Sequence, residues 1–80
     1  MNYDTDKVDE MTLALLWLVT SEAEFGTKRA WKTFDWATMN RLHEKGWIGN
    51  PRSKSKSVLV TEEGQARARE LFEKHFSQAE

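Results

Sequence analysis

The chain has 80 residues, a net charge of −1, 39% hydrophobic residues and no cysteine. A chain of this length forms one domain, residues 1–80, and leaves no room for a second domain or a large buried substrate cavity. The lack of cysteine excludes disulfides and thiolate metal sites. The longest apolar run, residues 13–19, is far shorter than the roughly 20 residues of a membrane helix. We therefore expect a cytoplasmic domain with no membrane contact.

The small net charge hides an uneven distribution along the chain. Residues 1–25 hold one basic and six acidic residues, a balance of −5. Residues 26–60 hold eight basic and two acidic residues, a balance of +6, and residues 61–80 hold three and five, a balance of −2. A basic middle between acidic ends is a pattern that can present a positive face to a polyanion, although charged runs often serve only to solvate a surface.

The first predicted element is a helix from about Thr5 to Ser21 or Glu22, with Asp4 or Thr5 as its N-cap. Apolar residues lie on two sides of this helix. The longer stripe, which we expect to face the core, is Val8, Met11, Leu15, Leu18 and Val19. The other side, which we expect to point away from the core, is Leu13, Leu16 and Trp17.

The stretch 28–34 is ambiguous, and its apolar spacing favours a short helix. Asp35 can cap a following helix from Trp36 to Lys45, which Gly46 would end in a left-handed conformation. We expect its core face to carry Trp36, Met39, Leu42 and His43. We expect its outward face to carry Thr38, Arg41 and Lys45, with Asn40 at the edge.

The last third of the chain is predicted to form a hairpin and a closing helix. Residues 47–51 look extended, with Pro51 at the strand end, residues 52–56 are a polar loop or hairpin tip, and residues 57–60 are a short β-branched strand. Thr61 can cap a last helix that runs to about His75 or Phe76.

This order of elements resembles a winged helix-turn-helix domain. The resemblance rests on residues 42–48 (LHEKGWI) and 58–64 (VLVTEEG), and residues 30–46 are similar to a family of small bacterial winged-helix proteins of unassigned function. It implies an α+β fold with a three-helix core, a two-stranded β-hairpin wing and a C-terminal helix. It also implies DNA binding in transcription regulation.

Cations and polar side chains near the predicted turn and wing are candidates for contacts to double-stranded DNA. Basic side chains on the wing would meet phosphates, and Arg or Asn on the second helix could reach base edges. The alternative for each is an ordinary solvated surface. The candidate DNA-binding residues are Arg29, Lys32, Thr38, Asn40, Arg41, Lys45, Arg52, Lys54 and Lys56.

No grouping of residues indicates catalysis. His43 and His75 are 32 positions apart with no cysteine, and they are interpreted as packing residues rather than metal ligands. No nucleophile–base pair or phosphate-binding glycine loop stands out, so we expect no enzyme activity, no small-molecule substrate, no metal and no cofactor.

Two hypotheses about function remain open. One is a small dimeric DNA-binding regulator or accessory factor, and the other is a protein-interaction module on the same scaffold without DNA binding. The second hypothesis uses the first helix as the interaction surface. The second apolar side of that helix also favours a homodimer, unless residues 28–34 fold back over it and leave a monomer. The predicted dimer interface is Leu13, Leu16, Trp17, Phe72 and Phe76.

Overall fold

Three helices and a small antiparallel sheet form the fold in the computed structural model, which describes residues 1–22, 28–31 and 35–78. The helices are α1 (Thr5–Val19), α2 (Trp36–Glu44) and α3 (Glu62–Phe76). The strands are β1 (Ser21–Glu22), β2 (Lys28–Trp31) and β3 (Ser57–Val60), in the order β1-β2-β3. The predicted α+β class is confirmed.

The helix boundaries follow from local capping. Each helix begins after a residue whose side chain accepts a hydrogen bond from a backbone N–H in the first turn, at 2.9 to 3.0 Å, and these residues are Asp4, Asp35 and Thr61. After α2 the chain turns at Gly46, whose φ of +80° suits glycine. These caps and this stop agree with the sequence predictions.

The two sides of α1 are reversed relative to the prediction. Leu13 and Leu16 have 0% exposure and lie in the core, whereas Leu18 is 65% exposed. The predicted stripe failed because the core side of α1 also carries polar residues, which a search for apolar spacing passes over. One of them is Asp9, also 0% exposed.

Residues 28–31 form a strand, so the prediction of a short helix in this stretch is wrong. Ala30 pairs with Val58 and Trp31 with Ser57 in an antiparallel ladder between β2 and β3. Pairing with a distant strand outweighs the local apolar spacing that suits a helix. Residues 32–34, the rest of that predicted helix, lie outside the described residues.

The predicted wing is present only in part. β3 lies where the sequence placed it, but its main partner is β2. Residues 47–50 contribute one bridge, Ile48 to Val60, and residues 51–56 form turns and bends. Backbone hydrogen bonds from Gly49 N to the Leu59 carbonyl at 2.8 Å and from Thr61 N to the Trp47 carbonyl at 3.0 Å flank this bridge, so the predicted hairpin is reduced to one short antiparallel contact closed by a loop.

The core lies between the helices and the inner face of the sheet. α1 packs chiefly against α3, and its buried leucines belong to the same core cluster as Met39 and Leu42 of α2 and Val58 and Val60 of β3. Trp36 is 60% exposed, so its predicted place on the core face of α2 is wrong, and His43 is also exposed. No helix in the described residues is both long and apolar enough to cross a membrane.

Candidate nucleic-acid interface

The cations of α2 are turned towards α1. Arg41 Nε lies 2.8 Å from Oδ1 and 3.0 Å from Oδ2 of Asp9. Lys45 Nζ lies 2.9 Å from Asp9 Oδ2 and 2.9 Å from Asp6 Oδ1, and 5.3 Å from the ring centroid of Trp47. We call Asp6, Asp9, Arg41 and Lys45 the α1–α2 charge cluster.

The charge cluster stabilises the charged form of both cations. The hydrogen bond to Asp9 raises the pKa of Arg41 above its ordinary value, more than burial lowers it. Burial alone would lower the pKa of Lys45, but its hydrogen bonds to Asp9 and Asp6 raise that pKa overall. Both side chains thus neutralise a buried carboxylate, and the prediction that they face outward is wrong.

The remaining candidates on α2 are Thr38, which lies in the interior, and Asn40, which lies at the edge of the helix face. Thr38 is buried, donates to Asp35 and accepts a hydrogen bond from Arg41 Nη2 at 3.1 Å, so its predicted outward position is also wrong. Asn40 is half-buried, as an edge position predicts. The exposed residues of α2 are Trp36, Ala37, His43 and Glu44, and this surface carries no lysine or arginine.

Residues 52–56, which we call the basic loop, are exposed throughout. Arg52, Lys54 and Lys56 make no ion pair with a carboxylate in the part of the chain that the structure describes. The sequence itself contains no Asp or Glu between Glu44 and Glu62. Because the loop forms bends rather than an extended strand, its cations are not held on one side by strand alternation.

Hydrogen bonds at both ends of the basic loop fix its attachment to the sheet. Asn50 Oδ1 accepts from Arg52 N at 2.9 Å, and the Asn50 carbonyl accepts from Ser53 N at 3.3 Å. At the other end Ser55 Oγ accepts from Ser57 N at 3.3 Å. The loop therefore leaves and rejoins the fold at defined points.

Arg29 connects the returning end of the loop to the middle of the sheet. Its Nε donates to Ser57 Oγ at 2.7 Å, and its Nη2 donates to the Ser57 carbonyl at 2.8 Å and to Ser55 Oγ at 3.2 Å. In the register Arg29 is opposite Leu59, on the face of the sheet away from the core. Arg29 and the basic loop thus lie together on one side of the sheet.

A cleft of about 310 Å³ lies beside Arg29, and we call it the Arg29 cleft. It is bounded by both strand and loop residues, namely Arg29, Gly49, Asn50, Ser53, Ser55, Val58 and Leu59. Sequence analysis did not identify the asparagine and serine members. Their only signal is the alternation of serines with the cations of the basic loop.

The other predicted site residues are Lys32 and the five dimer candidates, and they lie in different environments or outside the described residues. Lys32 lies outside the described residues. Among the predicted dimer residues, Leu13 and Leu16 are core residues, so their predicted place in an interface is wrong. Trp17 and Phe72 are partly buried against the core. Phe76 is exposed, and its ring centroid lies 5.3 Å from that of Phe72.

Asp6 and Asp9 are residues that sequence analysis treated only as part of an acidic helix start. The available signal was that Asp9 falls on the same side of the helix as Leu13 and Leu16. A buried acid on that side needs a cationic partner elsewhere in the fold. Among the described residues, no group of three or more His, Cys, Asp or Glu side chains is arranged to hold a metal ion.

Comparison with known proteins gives a family but no activity. A family model described as "Domain of unknown function (DUF6429)" matches residues 4–78. The "Uncharacterized protein y4hR" of Sinorhizobium fredii (strain NBRC 101917 / NGR234) is 49% identical over 77 residues, covering 96% of this chain and 99% of that protein. No solved structure matches the chain at a significant level.

Proposed function

The chain belongs to the DUF6429 family, whose description assigns no function, and from the geometry of its own residues we propose that it binds nucleic acid through the basic loop. The prediction of a small bacterial family of unassigned function is confirmed. The winged-helix assignment is part of this proposal and is limited to α2, the basic loop, β3 and α3. The stretch before α2 is a strand in its described part, where a helix-turn-helix would require a helix.

One observation carries the proposal: the cations of the basic loop have no carboxylate partners among the described residues. Three arginines outside the loop are paired with carboxylates, Arg41 with Asp9, Arg67 with Glu10 and Arg69 with Glu73. Unpaired cations on one surface favour a phosphate backbone, since binding releases condensed counterions. The exposed surface of α2 has no cation, which favours backbone contact over base reading.

The proposal is tested by the salt dependence of binding to random-sequence duplex DNA, followed by fluorescence anisotropy. Each phosphate contact adds about 0.9 to the slope of log K against log salt. Replacing Arg52, Lys54 and Lys56 together by alanine should weaken binding and reduce this slope by roughly 2 to 3.

The matched control removes three exposed cations that lie outside the loop, as Lys7→Ala, Arg69→Ala and Lys74→Ala in one chain. It changes the net charge by the same amount, so it should leave the slope close to that of the parent. Equal losses in the two variants would mean that overall charge governs binding. No binding by the parent at low salt would reject the proposal.

The second candidate function is protein interaction, and the solvent-facing side of α1 favours it. Leu15, Leu18 and Val19 are exposed on one side of that helix. Monomeric proteins seldom leave a contiguous apolar patch uncovered unless it binds a partner. A homodimer through this side would retain the predicted assembly with a different interface from the one predicted.

A further inference from the structure

We propose that the Arg29 cleft binds the phosphoryl group of a nucleotide, either at the end of a nucleic-acid strand or in a free mononucleotide. Binding of a strand end deepens the proposed function and rests on it, whereas binding of a free mononucleotide is independent of it.

Arg29 is half-buried, yet the acceptors that hold it are neutral. They are the Ser57 hydroxyl and carbonyl and the Ser55 hydroxyl, at 2.7 to 3.2 Å. No carboxylate of the described residues forms an ion pair with it. Three hydrogen bonds fix the direction of the guanidinium, and no carboxylate among the described residues compensates its charge. An orientated, partly desolvated arginine of this kind favours an anion, with phosphate among the best matches to its planar fork.

The polar wall of the cleft supplies further hydrogen-bonding groups. Ser53, Ser55 and Asn50 line it beside Arg29. Ser55 Oγ accepts from Arg29 Nη2 and from Ser57 N and lies 3.5 Å from Ser57 Oγ, so its proton can point to Ser57 or to an acceptor in the cleft. Hydroxyl and amide donors around one cation suit the several acceptor oxygens of a phosphoryl group.

Apolar surface in the same cleft matches the rest of a nucleotide. It includes Leu59, which is partly exposed on the outer face of the sheet, whereas the Val58 side chain is buried on the core face. A volume of about 310 Å³ is at the lower end of the range for ligand sites, which suits one nucleotide rather than a larger ligand. The cations of the basic loop add a positive potential at the rim.

The test compares two duplexes of one sequence, one ending in phosphate groups and the other in hydroxyl groups. We expect the parent to bind the phosphate-ended duplex about tenfold more tightly, as expected for a hydrogen bond to a charged group. Arg29→Gln should abolish this preference, so that the two duplexes bind with equal affinity. The control Arg52→Gln, in the exposed loop, should weaken binding of both duplexes equally and retain the preference.

The second arm titrates the parent with a nucleoside monophosphate and follows the Arg29 Nε–H and the amides of Ser53 and Ser55 by NMR. Shifts at these positions without duplex binding would support a mononucleotide site and reject the nucleic-acid proposal. Duplex binding without a preference for terminal phosphate, and without these shifts, would overturn the present inference while the proposed function stands. Arg29→Lys, which keeps the charge but lacks the fork, replaces Arg29→Gln if the latter does not fold, and it should also lose most of the preference.

Discussion

At Asp9 a carboxylate without exposed surface meets both cations of α2. Taking a charge out of water is costly, and this cost is offset only when partners are held in good geometry. Arg41 and Lys45 supply two such partners, and they are themselves only partly exposed. The contact fixes the rotation of α1 about its axis and the position of α2 beside it.

The two acids of the charge cluster should differ greatly in their effect on stability. Asp9→Ala leaves two partly buried cations without their shared partner and should lower the free energy of unfolding by about 3 kcal/mol or more. Asp6 also contacts Lys45, but its side chain is 80% exposed, and Asp6→Ala should cost less than about 1 kcal/mol. Urea unfolding of both variants measures the difference. Equal losses would contradict a structural role for the buried pair.

Gly64, in the first turn of α3, is another position where one residue determines packing. A Cβ atom there would lie 2.0 Å from the carbonyl oxygen of Trp47, which also accepts a hydrogen bond from Thr61 N at 3.0 Å. Gly64→Ala should therefore destabilise the fold by about 1–3 kcal/mol, even though alanine favours helices.

Gly49→Ala is the control for that substitution, because its Cβ would meet Leu59 Cβ at an ordinary 3.5 Å. Its effect should stay within about 0.5 kcal/mol. Thermal and urea unfolding of the two variants compare them directly. A Gly64→Ala variant as stable as the parent would show that α3 does not approach Trp47 this closely.

Among the elements, α2 is the one whose limits depend most clearly on identifiable side chains. Asp35 accepts from the hydroxyl and the N–H of Thr38 at its start, and the chain leaves the helix at Gly46. The hydrogen bond from the Thr38 side chain, followed by that from its backbone, lowers the pKa of Asp35 below its ordinary 3.8. Its stabilising effect is therefore complete above pH 3.8 and is lost as the pH falls through the lower, folded-state value.

Asp35→Ser should separate capping from titration. Serine is a comparable N-cap without an ionisable group, so the variant should unfold like the parent near neutral pH and lose less stability between about pH 4 and pH 2. Asp35→Ala should be less stable at both pH values. Circular dichroism melts across this range measure the effect. An Asp35→Ser variant with the acid sensitivity of the parent would assign that sensitivity to other carboxylates.

Local signals predicted the elements that depend on local chemistry. The caps at Asp4, Asp35 and Thr61 and the turn at Gly46 are short-range features, and they located three helices and β3 correctly. β2 was missed because its strand conformation depends on pairing with residues 57–60. The buried side of α1 was missed because it depends on ion pairs between Asp9 and α2.

The part of the candidate site that depends on local sequence was predictable, and the part that depends on tertiary contacts was not. The basic loop stands out in the sequence as a cluster of cations with no nearby acid, and it is exposed in the fold. The α2 cations look equally available in the sequence. Only the tertiary contact with Asp9 reveals that Arg41 and Lys45 are already paired.

For the molecule as a whole, the side of α1 that faces solvent bears on assembly. Leu18→Glu lies on this side at a largely exposed position, so the variant should fold. If the chain forms a homodimer there, the parent should sediment above its monomer mass of 9.3 kDa and Leu18→Glu should sediment as a monomer. Ala66→Glu, an exposed position on α3, adds the same charge and should sediment like the parent. A parent that remains monomeric at high concentration would reject self-association.

Part of the positive charge of the molecule is paired with carboxylates between the helices, and another part lies on the sheet and loop. Acidic α1 neutralises the cations of α2, and Arg67 links α3 to Glu10 of α1. Within the described ranges, no acidic side chain is paired in this way with the cations of the basic loop or with Arg29, on the outer face of the sheet. The proposed binding surface is therefore the sheet and loop, not the exposed surface of α2.

An NMR titration of the uniformly labelled protein with duplex DNA at low salt tests this claim most directly. If the protein binds DNA through the basic loop and the sheet, backbone amide shifts should concentrate in residues 52–57 and at Arg29, and they should diminish as salt is added. Amides on the exposed surface of α2, at Trp36, Ala37 and His43, should change little. Shifts centred on α2 or α1 with the loop unaffected, or no shifts at any position, would contradict binding through the basic loop and the sheet.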